Sequence, residues 1–260
     1  MSVINVQNLT RDYGSGKGLF DVSFQVKKGE VFGFLGPNGA GKTTTIRHLM
    51  GFIRPKAGRC QIDGLDCWKN RDEIQKRLGY IPGEINFFDD MTGKEFLKFV
   101  TDYRKIGNEN RMQELLERFS SDPRGTIKKM SKGMKQKIGI VAAFMHDPDI
   151  LILDEPTSGL DPLMQNRFIE LIAEEKKKGK TILLSSHMFE EVERTCDRIG
   201  IIRSGKLVTV DSVETLRERH MHTYTVRLDS PELAENFARD FQGTRDGNLV
   251  TVSAKQSLET

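Results

Sequence analysis

Gly36-Pro37-Asn38-Gly39-Ala40-Gly41-Lys42-Thr43-Thr44 stands between an apolar run, residues 31–35, and a segment of helical character, residues 43–50, that Gly51 ends. A glycine, four residues and then Gly-Lys-Thr is the pattern of a phosphate-binding loop. Glycines let the backbone curl until successive N–H groups point inward, and the helix that follows adds its partial positive charge. Such a cradle holds a polyphosphate. Lys42 is spaced to reach the β- and γ-phosphates, and the Thr43 hydroxyl to ligand the Mg²⁺ that bridges them. The stretch therefore reads as the centre of a nucleotide-binding protein with a strand, loop, helix unit.

Around this unit the chain alternates strands and helices. Phe20, Val22, Phe24 and Val26 alternate with polar neighbours, so residues 19–26 read as a half-buried strand and an antiparallel start to the fold. Short strands are expected at 59–62, before the turn dipeptide Asp63-Gly64, and at 79–81, before Pro82. Thr92 with Glu95 makes a capping box for a helix to about Lys105, and Met112, Leu115, Leu116 and Phe119 have helical spacing. A third helix starts near Ser131 and stops at Asp147-Pro148, so residues 92–146 read as a helical insert.

An apolar strand is expected at 150–153, then a helix with Asp161 as N-cap and Pro162 at its first position, then a strand at 181–185. Residues 199–203 and 207–210 flank Ser204-Gly205 as a hairpin, and Asp211 with Glu214 caps a short helix to about His220. A strand at 223–228, a helix at 231–241 and a strand at 249–253 make a small appended module, and Ser257-Leu258-Glu259-Thr260 reads as the start of another helix. The expected fold is α/β. It has a phosphate-loop core with a mainly parallel sheet, an antiparallel N-terminal part, the helical insert and a small C-terminal α/β extension, divided as 1–215 and 216–260.

The 260 residues are enough for a well-buried core, and a net charge of +3 gives no global basic field that would draw nucleic acid. Cys60, Cys67 and Cys196 form no CxxC pair and leave an odd count, which points to packing in a reducing cytosol rather than to disulfides or zinc. The sequence shows neither a secretory leader nor some 18 consecutive apolar residues, so it is not expected to span a membrane.

Downstream of the phosphate loop, the apolar strand at 150–153 delivers Asp154-Glu155. That is what a phosphate-loop ATPase needs: Asp154 for the Mg²⁺ shell and Glu155 for a water facing the γ-phosphate. With these motifs in order, residues 1 to about 215 resemble the ATP-binding subunits of the ATP-binding cassette (ABC) transporters. Met130-Ser131-Lys132-Gly133-Met134-Lys135-Gln136 is similar to that family's signature, Leu-Ser-Gly-Gly-Gln, and keeps Ser131 and Gly133. The resemblance implies that the signature helix of one subunit points at the γ-phosphate held by the other. Ser131 also suits the cap of its own helix. Asp161 matches the loop that communicates between the two sites, and is equally an N-cap. His187, just past a core strand, matches the family's γ-phosphate-sensing histidine, and Tyr13 stands where the family stacks an aromatic on adenine. His48, His146, His220 and His222 have no such placement and read as structural.

Two departures from the family pattern are visible. Gly83 occupies the place of a glutamine that meets Mg²⁺ and the membrane partner, with Glu84 beside it. Lys132 replaces the first signature glycine and Met134 the glutamine, within a group formed by Lys128, Lys129, Lys132, Lys135 and Lys137. The resemblance implies a cytoplasmic ATPase at the inner face of the cell membrane. It would use ATP and Mg²⁺, dimerise head to tail with itself or a like subunit, and drive a separate integral membrane permease, in the export direction. No nucleic acid partner is expected. The rivals are a non-transport ABC ATPase on ribosome or DNA, which would be expected to fuse two cassettes or add basic arms, and an ATP-switched regulatory module, against which Glu155 and His187 argue.

Overall fold

The computed structural model describes residues 1–219 and 221–255. Its first strand, β1 (Ser2–Gly14), pairs antiparallel with β2 (Lys17–Lys27), setting Ile4 opposite Val26, Val6 opposite Phe24 and Leu9 opposite Val22. The sequence pattern did not announce β1 by itself. Its register shifts between Val6 and Leu9, where Asn8 takes a φ of 48°, so Leu9 returns to the buried face out of phase with the alternation. The chain continues through β3 (Val31–Leu35), α1 (Lys42–Leu49), β4 (Ala57–Ile62), β5 (Leu65–Asp66), α2 (Arg71–Arg77) and β6 (Leu78–Ile81). β4 pairs with the other side of β1, giving a four-stranded sheet in the order β2-β1-β4-β5.

Next come α3 (Gly93–Arg104) and α4 (Asn110–Arg118), then α5 (Lys132–Phe144). The capping box forms: Thr92 Oγ1 accepts from the Glu95 N–H at 3.2 Å and Glu95 Oε2 accepts from the Thr92 N–H at 2.7 Å. Met112, Leu115, Leu116 and Phe119 are buried, as their spacing requires. β7 (Ile150–Asp154), α6 (Pro162–Lys177), β8 (Thr181–Ser186), α7 (Phe189–Thr195), β9 (Arg198–Arg203) and β10 (Lys206–Ser212) follow. The second sheet has the order β10-β9-β3-β8-β7-β6, and its pairs from β9 to β6 are all parallel. Parallel strands bring their carboxyl ends to one edge, where α/β folds hold their ligands. Leu35, Ile81, Asp154 and Ser186 therefore end side by side.

The two sheets share one core. Phe24 of β2 stacks on Phe32 and Phe34 of β3 at ring-centre distances of 5.3 and 5.2 Å, with Ile46 and Leu49 of α1 in the same buried cluster. Truncating Phe24 to alanine would cost about 3–5 kcal/mol, the scale for emptying an aromatic from a packed core. The three cysteines are buried and unpaired, and burial pushes the Cys60 and Cys196 thiols up to about 12. No helix among the described residues is long and apolar enough to cross a membrane.

The chain divides into two compact units, Met1–Val210 and Asp211–Thr260. The second holds α8 (Val213–Arg219), β11 (Met221–Arg227), α9 (Pro231–Asp240), β12 (Thr244–Asp246) and β13 (Leu249–Lys255). Its strands form an antiparallel sheet in the order β11-β13-β12, and Ala234 of α9 packs with Val250 and Val252. The cap of α8 corrects the expectation from sequence. Ser212 Oγ, not Asp211, accepts from the N–H three residues on, Thr215, at 3.1 Å, and Asp211 remains in β10. His220, the side chain of His222 and the stretch Ser257-Leu258-Glu259-Thr260 lie outside the described residues.

Candidate nucleotide-binding site

β3 ends at Leu35, and the chain turns through Gly36 and Pro37 into the first turn of α1. Gly41 sits just before that helix with a φ of 113°, and a Cβ there would lie 2.6 Å from Leu19 Cδ2, so both backbone and packing demand glycine. The Lys42 side chain is buried, and its Nζ donates to the Gly36 carbonyl at 2.6 Å and the Pro37 carbonyl at 3.3 Å. Gly36 and Pro37 thus fix the lysine, while Asn38, Gly39, Ala40, Gly41, Lys42, Thr43 and Thr44 line a cavity of about 360 Å³. A folded-back lysine has hydrogen bonds that an incoming phosphate can replace with stronger, charge-assisted ones.

Asp154 and Glu155, adjacent in sequence, face different surroundings. Asp154 is fully buried at the end of β7, where Ser185 Oγ donates to its Oδ1. Its Oδ2 is buried without a hydrogen-bond partner among the described residues. Burial pushes the carboxyl above the usual aspartate range, with the Ser185 hydrogen bond and the nearby Thr43 hydroxyl opposing. A Cβ built on Gly83 would lie 2.8 Å from Asp154 Oδ2 and 3.6 Å from Thr43 Oγ1. A carboxylate oxygen with no partner and a hydroxyl thus border the same small space, a donor set that fits a hard cation such as Mg²⁺. That ion typically takes one or two protein carboxylates and fills its remaining positions with phosphate and water.

Glu155 follows with a φ of 48°, a left-handed conformation costly for a side chain with a Cβ and held by its N–H donating to Ser185 Oγ at 3.1 Å. The turn carries its carboxylate over the cavity. Oε1 lies 3.1 Å from Lys42 Nζ as an ion pair without hydrogen-bond geometry, and Oε2 lies 2.7 Å from His187 Nδ1. His187 is half exposed at the end of β8. Glu191 of α7 secures both loop ends: its carboxylate accepts from Thr157 Oγ1 at 2.8 Å and from Ser186 Oγ. Burial pushes the Glu191 carboxyl up, and the two hydroxyls draw it back.

The phosphate loop, Thr43, Asp154, Glu155 and His187 are therefore together. Ser131, Gly133, Asp161 and Tyr13 do not line this chain's cavity. Ser131 caps α5 by accepting from the Met134 N–H at 3.2 Å, and Asp161 caps α6 by accepting from the Met164 N–H at 3.0 Å. Tyr13 is exposed near the tip of the β1–β2 hairpin, with the Arg11 guanidinium 5.4 Å from its ring centre. Reading the sequence did not single out Arg47, Tyr80 or Asn86, which line the cavity, nor Thr157, Ser185 and Glu191, which hold its edge. Ser185 and Ser186 could have been found: two hydroxyls closing an apolar strand need partners.

Comparison with known proteins agrees with this geometry. The family described as ABC transporter matches residues 19–158. The bacitracin transport ATP-binding protein BcrA of Bacillus licheniformis is 40% identical over 224 residues, 84% of this chain and 72% of that protein. The ABC transporter ATP-binding protein NatA of Bacillus subtilis is 40% identical over 208 residues, covering 78% and 85% of the two chains. The linearmycin resistance ATP-binding protein LnrL of the same species is 34% identical over 255 residues, covering 96% and 82%. A solved ATP-binding subunit of an ABC transporter superposes with a TM-score of 0.76 at 33% identity, covering 84% of this chain and 93% of that one. The chain belongs to the ABC transporter family, as an ATP-binding subunit with the ATPase cassette fold.

Proposed function

We propose that the chain binds Mg²⁺-ATP in this cavity and hydrolyses it within a head-to-tail dimer that drives a separate membrane permease in the export direction. The observation that carries the reading is the Glu155 carboxylate, held between Lys42 Nζ at 3.1 Å and His187 Nδ1 at 2.7 Å on the rim of the phosphate loop. Lys42 leaves the Gly36 and Pro37 carbonyls for the β- and γ-phosphates. Once Lys42 has moved, Glu155 faces the terminal phosphate and takes the proton of the attacking water. His187, bonded to Glu155 through Nδ1, presents its other nitrogen towards the γ-phosphate. Thr43 and Asp154 are the residues that would hold Mg²⁺, with Thr44 next to them on the phosphates, and the ion would supply neutralisation of the polyphosphate's charge.

Tyr13 supplies a stacking surface for adenine, and Ser131, Gly133 and Asp161 serve the partner's nucleotide, which accounts for their absence from this chain's own cavity. The permease is a separate chain, and this one is a cytoplasmic, peripheral subunit at the inner membrane face. The names of two relatives, a bacitracin transport protein and a linearmycin resistance protein, support export. The unit from residue 211 on is an extension to the cassette. The direct test is Glu155→Gln. Turnover should fall by about two to four orders of magnitude, the scale for losing a general base, with ATP affinity kept. A fall of less than fivefold would remove Glu155 from this role.

A further inference from the structure

Glu190 and Glu191 both stand in the first turn of α7, where acids suit the helix macrodipole, but Glu190 is exposed and Glu191 is buried. The dipole does not require that burial, and a buried carboxylate is costly unless hydrogen bonds satisfy its oxygens. Each Glu191 oxygen has one hydroxyl donor, and the two donors come from different loops. Thr157 Oγ1 donates to Oε1 at 2.8 Å, and Ser186 Oγ donates to Oε2. Thr157 stands two residues after Glu155, in a turn that the Ser158 N–H closes on the Glu155 carbonyl at 3.1 Å. Ser186 directly precedes His187, and its Oγ also accepts from the Met188 N–H at 3.0 Å, so one hydroxyl brackets the histidine from both sides. Between the two arms lies the contact of Glu155 Oε2 with His187 Nδ1 at 2.7 Å. Neither loop fixes that distance alone. Glu155 has the left-handed φ of 48°, which persists only where its surroundings impose it, and His187 is half exposed.

We infer that Glu191 is a positioning residue for ATP hydrolysis: its carboxylate ties the turn after Glu155 to the loop of His187 and so sets the general base against the histidine. This rests on the reading of Glu155 as general base. Glu191 does not line the nucleotide cavity, so its loss acts on turnover and leaves ATP binding in place. Displacing a reacting group by about 1 Å costs up to roughly a hundredfold in rate. A shift of the turn at Thr157 is passed to His187 through the same carboxylate.

The test measures turnover at saturating Mg²⁺-ATP, and ATP affinity, on the full chain. Glu191→Ala should lose about ten- to hundredfold in kcat, the scale of such a displacement, with affinity within about twofold of wild type. Glu191→Gln, which keeps the length and one acceptor oxygen, should recover part of the loss, and it carries the same comparisons where the alanine variant does not fold. Glu190→Ala should turn over as the wild-type chain does. In a His187→Ala background the Glu191 substitution should cost less than about threefold, because no histidine is left to hold, whereas a residue that only stabilises the fold would cost the same factor in both backgrounds. Equal factors, wild-type turnover of Glu191→Ala, an equal loss in Glu190→Ala, or an affinity that falls in step with kcat would each overturn the inference alone. Turnover of Glu155→Gln within about fivefold of wild type would instead bring down the general-base reading, and this inference with it.

Discussion

Gly83 passes so close to Asp154 that a Cβ on it would stand 2.8 Å from the carboxylate Oδ2, well inside van der Waals contact. Space for Asp154 and whatever it binds thus comes from the lack of a side chain at Gly83. Gly83→Ala should force Asp154 or the loop to shift. The apparent Mg²⁺ requirement for ATP hydrolysis should rise about ten- to hundredfold, the scale for disturbing the surroundings of a metal ligand. Titration of Mg²⁺ at saturating ATP reads this, and an unchanged midpoint would separate Gly83 from the metal.

Burial raises the Asp154 carboxyl, which means that its charge opposes folding. In the window between the ordinary aspartate range and its raised value, the folded chain binds a proton that the unfolded chain does not. Stability from this group is therefore gained as pH falls through the window and lost as pH rises. Asp154→Asn, which removes the charge and can keep the Ser185 bond, should melt higher than the wild-type chain in Mg²⁺-free buffer at pH 8. The gap should close on acidification. Equal melting temperatures at pH 8 would contradict the assignment.

Lys42 is held by two carbonyls and one carboxylate, all of which it must leave for phosphate. Lys42→Ala should weaken ATP binding about ten- to hundredfold, the equivalent of a hydrogen bond to a charged group at about 1.5–3 kcal/mol. Calorimetry in Mg²⁺ measures it. Unchanged affinity would mean that the cavity is not where the phosphates bind.

His146, beside the start of β6, is pushed down to about 4, first by burial and then by the Arg104 charge, while its Nε2 stands 3.2 Å from the Leu78 carbonyl. The unfolded chain protonates this histidine near its ordinary value and the folded chain only near 4. Stability from this group is therefore full above about pH 6.5, the ordinary histidine value, and is lost as pH falls towards 4. An NMR titration should show the His146 imidazole still neutral at pH 5, and its protonation near the ordinary histidine value would refute this.

How much was legible from sequence follows from how local each signal is. The strand, loop and helix around residues 36–44, the Thr92–Glu95 box and the Asp161-Pro162 helix start are written within a few residues, and each takes the local structure that was read. β1 was hidden because the bulge near Asn8 interrupts its alternation. The cap of α8 was misplaced because Asp211 and Ser212 offer the same spacing one residue apart, and only β10's extension to Ser212 decides between them. Glu191 was invisible because its partners, Thr157 and Ser186, come from two other segments, 34 and 5 residues away. Contacts across the sheet edge are set by strand order, which no local pattern contains.

The central claim is that one complete site takes its phosphate loop from one chain and its signature helix from another. Mixing Lys42→Ala with Ser131→Arg tests it most directly. Each variant alone should be inactive as a homodimer. In the heterodimer one site collects both lesions, and the other joins a wild-type phosphate loop to a wild-type Ser131 and Gly133. With subunit exchange shown by differently tagged chains, and with wild-type dimers blocked at one site shown to turn over, the mixture should recover ATPase activity. Demonstrated heterodimers that stay as inactive as either parent would contradict the head-to-tail site.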